Sequence, residues 1–169
     1  MHPPLTIRLA SRADLPEIVR LLADDDLGSQ REHYELPLPE SYYAAFAQLD
    51  GSPYFELIVG EMDGRIAATL QLTFIPSISY RGGLRAQVES VRVDAPLRSQ
   101  GLGKEMMLWA MERASQRGAH LMQLSTHKTR LDAHRFYERL GFQGSHIGMK
   151  ISLKQEDDDR SKSKTQRRA

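Results

Sequence analysis

The sequence predicts an α/β protein of the α+β kind, with a mixed, largely antiparallel central sheet of six to seven strands flanked by about four helices. Three observations carry this. Two runs of strand character, "YFELIVGEM" and "RIAATLQLTFIP", are separated by Asp-Gly, the strongest short-range hairpin signal. A further strand pattern, "QVESVRVD", leads into a glycine turn and a long helix. Strand and helix patterns then alternate through "HLMQLST", "RLDAHRFYERLG" and "SHIGMKISL". Hairpins in the middle of the chain therefore give way to crossovers at its end.

In chain order, "PLTIRLA" reads as a first strand, with Leu5, Ile7 and Leu9 alternating against Thr6 and Arg8. "SRADLPEIVRLLAD" follows as an amphipathic helix, capped by Ser11 and Asp14 in the S-x-x-D pattern. "DDDLGSQREHYELPLPE" has no sustained period and reads as an exposed segment before a short helix around Ser41 to Leu49. The hairpin comes next, then the Gly-Gly excursion "SYRGGLRA", the strand "QVESVRVD" and the long helix, which Gly118 stops. A short strand, a helix ended by Gly141 and a final strand, "SHIGMKISL", complete one domain over residues 1–154. Residues 155–169, "QEDDDRSKSKTQRRA", are almost wholly polar and cannot bury enough surface to offset the entropy of ordering, so a solvated, disordered tail is expected.

Composition narrows the function. The 169 residues include no cysteine, which excludes a thiolate metal site and a cysteine nucleophile, and a net charge of +1 gives no general attraction to nucleic acid. Neither the His127/His134 pair nor His33 has the i, i+4 spacing with glutamate of a helical zinc site, so no metal is expected. No secretory signal and no membrane-length apolar run is visible, which makes a cytoplasmic location the expectation and a membrane partner unexpected.

The stretch "RSQGLGKEMMLWAMERA" carries the first chemical signal. A glycine inside a helix costs about 1 kcal/mol relative to alanine, so two at a helix start need a reason. Helix N-termini leave amides unpaired and partly positive, and Gly101 and Gly103 clear the approach to them while Arg98 and Lys104 add charge at the rim. A pyrophosphate would fit there; a simple tight turn is the alternative. It is not a P-loop, because Arg98 stands where the first glycine belongs and Glu105 follows Lys104. Nor is it a dinucleotide fingerprint, because Met106 replaces the third glycine.

Arg98-x-x-Gly101-x-Gly103 after "VESVRV" resembles the acyl-CoA pyrophosphate loop of the GNAT family of N-acetyltransferases. The later helix resembles that family's second motif, with Ala133, Phe136, Tyr137, Leu140, Gly141 and Phe142 in place. The likeness runs from Leu5 to about Leu153. It implies acetyl-CoA as acyl donor, a primary amine of a small metabolite as acceptor, and direct attack in a ternary complex. It also implies that Val91, Arg92 and Val93 bind the pantetheine arm and that Arg98, Ser99, Gln100, Gly101, Leu102, Gly103 and Lys104 bind the pyrophosphate, with Ala133 and Phe136 beside the cofactor. Arg130 departs from the pattern, standing where many members have asparagine, and would reach the cofactor phosphates or face solvent. Since dimers are common in the family, the resemblance allows a homodimer.

Acetyl transfer needs a neutral amine, a stabilised oxyanion and a proton for the leaving thiolate. Tyr137 is the candidate acid: it lies at the edge of the i, i+3, i+4, i+7 stripe of its helix, and a phenol stays protonated at neutral pH. The bland alternative is a core tyrosine. Glu89 is the candidate base, a lone carboxylate that strict alternation places on the face of Val91 and Val93, where apolar neighbours would raise its pKa. Its alternative is a structural ion pair with Arg92 or Arg85. The acceptor is open between an aminoalkylphosphonate-like or amino-acid amine and a protein N-terminus or lysine. Asp24, Asp25, Asp26, Glu32 and Glu35 could attract a cation, and Arg81 and Arg85 an anion. A non-catalytic acyl-CoA-binding module is the other function class; a DNA-binding regulator would need a basic helix, which the apolar helix after Gly101 is not.

Overall fold

A computed structural model describes residues 4–153. The expectation for the tail over 155–169 lies outside them. Five strands form one sheet in the order β1-β2-β3-β4-β5: β1 (Thr6–Leu9), β2 (Phe55–Met62), β3 (Arg65–Pro76), β4 (Leu84–Val93) and β5 (Ala119–Leu124). The first four pair antiparallel and only β4 and β5 pair parallel. The helices are α1 (Leu15–Ala23), α2 (Glu40–Leu49), α3 (Ser79–Gly82), α4 (Leu102–Gln116) and α5 (Leu131–Arg139).

The hairpin forms where Asp-Gly predicts it. Met62 pairs with Arg65, and Asp63 and Gly64 both adopt positive φ, the geometry whose twist matches the flanking strands. The Ser11–Asp14 cap also forms: Asp14 accepts from the Ser11 amide at 2.7 Å and from its hydroxyl at 2.9 Å, then carries the chain into α1.

Two expectations are corrected. The sheet has five strands where six to seven were expected, because "SHIGMKISL" joins no sheet ladder among the described residues. Period-two alternation states which side chains share a face; a strand also needs a ladder, and among the described residues this segment joins none. The extra helix is α3, a single turn inside the Gly-Gly excursion with Tyr80 and Arg81 at positive φ.

The sheet is covered on both sides. One face packs Ile58, Leu70, Leu72, Phe74 and Val88 against Met106, Met107, Ala110 and Ala114 of α4. The other packs Val59 and Ile66 against Leu15, Ile18, Val19 and Leu21 of α1 and Phe46 of α2. Each fully buried aliphatic side chain contributes about 1.5–3 kcal/mol relative to exposure, so these two layers hold the elements that present the site. A buried carboxylate fastens the far end of α4. Glu56 on β2 accepts from Arg113 at 2.7 and 2.9 Å and from Arg117 at 2.6 Å. Burial alone would raise the Glu56 pKa; the two guanidiniums bring it below the ordinary value.

At the sheet edge Asp14 is held by Arg8, at 2.7 and 2.9 Å, and its pKa falls from 3.8 to about 2, chiefly through those bonds. A depressed carboxylate pKa contributes stability that is present above the unfolded-state value and lost as pH falls through the folded-state value. The melting temperature is therefore expected to drop between about pH 4 and pH 2, and Asp14→Asn to flatten that drop, as read by thermal unfolding across this range.

Candidate active site

The site is built where β4 and β5 part. Their parallel ladder runs from Leu84↔Ala119 to Val88↔Leu124 and stops, so residues 89–93 have no partner on the β5 side while still pairing with β3. Within that free stretch β4 carries a bulge: Thr69 faces Arg92 and Gln71 faces Glu89, so β4 has one more residue than β3 between these pairs, and Ser90 takes φ +54°. The extra residue inverts the alternation. Val91 and Val93 pack with the α4-side core alongside Ala86 and Val88, while Glu89 and Arg92 share the opposite face.

This corrects the placement of Glu89. It does not share a face with Val91 and Val93, and it is exposed, so the apolar surroundings expected for it are missing. Neither alternative ion pair, with Arg92 or Arg85, is present among the described residues.

Beyond β4 the glycine turn opens α4. Gly101 is the N-cap with φ +98°, and Ser99 precedes it at φ +64°. No side chain caps the helix, and the Gly101 carbonyl takes the Lys104 and Glu105 amides at 2.9 and 3.1 Å. A Cβ at Gly101 would meet nothing within 4 Å, so the space before the leading amides, from Leu102 onward, is open. At Gly103 it would lie 3.6 Å from both Phe136 and Val93, which puts the Phe136 ring under the turn. Leu102 is buried and Lys104 exposed; Gln100 donates to the Pro96 carbonyl at 3.0 Å, holding the turn. Arg98 bonds the Val93 carbonyl at 3.0 Å and the Asp24 carboxylate at 2.7 Å, so its charge is shared with the segment after α1. These residues fit an anionic, extended ligand: an open N-terminus, unobstructed glycine and cationic flanks.

Helix α5 supplies the other wall. Ala133, Phe136 and Tyr137 are half-buried, and the Tyr137 ring meets Phe136 at 5.1 Å and Phe142 at 5.9 Å, both edge-on. Burial raises the Tyr137 pKa above its usual value, with Arg130 and Arg92 pulling partly back, so the phenol is protonated at neutral pH.

The sequence reading named Asp25 only as one of five acidic residues able to attract a cation and missed its arginine partners. Asp25, in the loop after α1, lies 3.6 Å from Arg92 and 3.3 Å from Arg130, and Arg31 is within electrostatic reach. Arg130 stands at the N-cap position of α5 without a side-chain cap bond, and its partly exposed guanidinium points at Asp25. The group is incompletely bonded. Asp25 Oδ2 and Arg92 Nε are buried without a hydrogen bond, although the other Asp25 oxygen takes the Gly28 amide at 2.6 Å. The local signal was Asp25-x-x-Gly28, a turn pattern, but nothing local points from it to residues 92 and 130. His134 approaches the His127 carbonyl at 3.1 Å, and among the described residues no group of three or more acidic, histidine or cysteine side chains could hold a metal.

Gly28 fixes this loop. A Cβ there would fall 2.0 Å from the Leu22 carbonyl oxygen, a backbone atom that cannot swing aside. Gly28→Ala is expected to cost about 2 kcal/mol as overpacking, measured by denaturant unfolding.

Comparison with known proteins agrees with this geometry. Residues 17–142 match the acetyltransferase (GNAT) family. The chain is 35% identical over 101 residues to an aminoalkylphosphonate N-acetyltransferase of Salmonella typhimurium, covering 59% of this chain and 62% of that enzyme. It is 30% identical over 90 residues to a glucosamine 6-phosphate N-acetyltransferase of Trypanosoma brucei brucei, covering 53% of this chain and 59% of that one. The matches thus span less than two thirds of either relative. A crystal structure of a transcriptional regulator from Bacillus halodurans C-125 superposes with TM-score 0.86 at 48% identity, over 89% of this chain and all of that one. With a family match over most of its length, on the sheet, glycine turn and α5 described above, this chain belongs to the GNAT family of acetyltransferases.

Proposed function

We propose that the protein is an N-acetyltransferase that moves an acetyl group from acetyl-CoA to the primary amine of a small molecule carrying an anionic group. The observation that carries this is the stretch 89–93 of β4, without a partner on its β5 side and followed by the glycine turn. When bound, acetyl-CoA supplies a thioester acyl group; the chain's residues do the rest. The glycine turn, with Ser99, Gln100 and Lys104, holds the pyrophosphate, and the free backbone of Val91 to Val93 takes the pantetheine arm and offers an N–H to the carbonyl oxygen. As the amine nitrogen bonds the acyl carbon and the carbon–sulfur bond breaks, the Tyr137 hydroxyl gives its proton to the thiolate. Glu89, exposed on the Arg92 face, takes the proton lost by the amine through water.

The arginines favour an anionic acceptor. Arg92 and Arg130 hold Asp25 at distances longer than a good hydrogen bond and keep a buried N–H free, so a phosphonate, phosphate or carboxylate could bond both more fully. Both relatives named above are described as acting on amines that carry such a group. The direct test is free-thiol release from acetyl-CoA with a panel of amines, with and without an anionic group. Tight donor binding with no amine raising release above hydrolysis would favour a non-catalytic acyl-CoA-binding module.

Tyr137→Phe is expected to lower kcat by about 10²-fold while the acetyl-CoA Kd stays within about twofold, measured by steady-state kinetics and calorimetry. Arg130→Ala is expected to raise KM for an aminoalkylphosphonate by about tenfold or more through loss of a charge-assisted bond, with KM for an uncharged amine unchanged.

A further inference from the structure

Asp25 is bonded unlike the other carboxylates that arginines hold in this fold. At Asp14, Asp24, Glu56, Glu61 and Asp94 an arginine nitrogen closes to 2.9 Å or less. At Asp25 the contacts are 3.3 Å to Arg130 and 3.6 Å to Arg92, and its buried Oδ2 accepts no hydrogen bond. Arg92 is equally underused: it gives one N–H to the Val91 carbonyl, while its buried Nε gives none. Buried polar atoms without partners are costly, so this is a poor structural bond on both sides.

The charges are unbalanced in the same place. Arg31, Arg92 and Arg130 all act electrostatically on Asp25. Arg31 closes no ion pair among the described residues, and its Nε donates to the Leu27 carbonyl at 3.0 Å. Three guanidiniums against one carboxylate leave an excess of two positive charges. The Arg92 side chain is only 11% exposed, and Asp25 is the one carboxylate paired with it among the described residues, so an anion from solvent reaches that charge by taking the place of Asp25. Arg92 and Arg130 also act on Tyr137, which sets this spot beside the proposed acid.

We propose that Asp25 is an internal stand-in for the anionic group of the acceptor, holding the subsite of Arg92 and Arg130 until a doubly charged phosphonate or phosphate displaces it. This rests on the anionic-acceptor reading above and narrows it. A dianion neutralises one charge more than the carboxylate it replaces, and its three oxygens accept from the N–H groups that Asp25 leaves unbonded. A single carboxylate only replaces Asp25 like for like. Asp25 thereby sets a threshold: every anion binds more weakly in proportion to the fraction of molecules whose subsite is vacant. Displacement also has a local signature. Asp25 Oδ1 takes the Gly28 amide at 2.6 Å, and the swing that clears the arginines takes Oδ1 off that amide.

The test is titration calorimetry of the full chain with methylphosphonate and with acetate, in the presence of coenzyme A to fill the glycine turn. Asp25→Asn keeps the side-chain volume and an oxygen for the Gly28 amide but removes the charge. Asp132→Asn, 97% exposed and two residues from Arg130, removes an equal charge at the surface as a control. Wild-type protein is expected to bind methylphosphonate about tenfold or more tightly than acetate, and Asp25→Asn to tighten methylphosphonate by about tenfold or more. Asp132→Asn should leave it within about twofold, and Arg130→Ala added to Asp25→Asn should abolish the gain. In wild-type protein methylphosphonate is expected to speed hydrogen exchange at the Gly28 amide, read by NMR, which decides the matter even where Asp25→Asn does not fold. Unchanged or weaker binding in Asp25→Asn would make Asp25 a strut that orients the arginines and would overturn the inference. So would an equal gain in Asp132→Asn, a gain that survives Arg130→Ala, acetate binding as tightly as methylphosphonate, or an unaltered Gly28 amide. The acetyltransferase reading fails separately, if no amine raises thiol release, and the binding results hold in that case because they need no turnover.

Discussion

The site depends on a ladder that stops. In a parallel pair alternate residues of each strand direct their N–H and C=O to the partner, so separating β4 from β5 after Val88 leaves backbone polar groups that must be satisfied elsewhere. The structure meets this partly with arginine: Arg92 bonds the Val91 carbonyl and Arg98 the Val93 carbonyl, both at 3.0 Å. The bulge belongs to the same arrangement. Ser90 adopts a left-handed conformation at a cost of about 1 kcal/mol for a residue with a Cβ, and the return is a reversal of side-chain direction within one strand. Val91 and Val93 close the core, while Arg92 is turned toward the loop after α1.

Much of this was legible because much of it is local. Asp63-Gly64 demands its hairpin turn, Ser11 and Asp14 demand their cap, and Gly101 occupies a positive φ that few other residues tolerate. The apolar stripe of α5 likewise follows from its spacing. What failed was extrapolation of a local rule past an irregularity. Strict alternation through "VESVRV" assigned Glu89 to the wrong face because no glycine marks the bulge, and Ser90 gives no compositional warning. The final strand failed differently: its pattern fits a strand, but pairing is a property of the neighbour. The Asp25–Arg92–Arg130 group was illegible for a third reason, since its members lie far apart in sequence and only the packing of α1 against the sheet brings them together.

Several ion pairs join elements that lie far apart in the chain. Arg8 bridges Asp14 and Glu61, tying the start of α1 to the β1–β2 edge, and Arg20 reaches Asp94 at the end of β4 at 2.9 Å. Arg98 adds a second link from β4 to the segment after α1. Most of these pairs are partly exposed and individually worth about 1 kcal/mol or less, so their effect is to fix the relative placement of elements more than to hold the fold together.

The exception is the buried Glu56 with its two arginines, and its location gives it a mechanical meaning. It grips the last turn of α4, whereas the glycine turn is at the first, about 22 Å away for a helix of fifteen residues. The helix is thus a lever with its fulcrum on β2. A tilt of about 3° at the fulcrum moves the leading amides by about 1 Å, and an error of that size in a reacting geometry can cost on the order of 10²-fold in rate. A residue at the far end of α4 from the glycine turn thus sets the aim of the helix whose first turn is the proposed donor site.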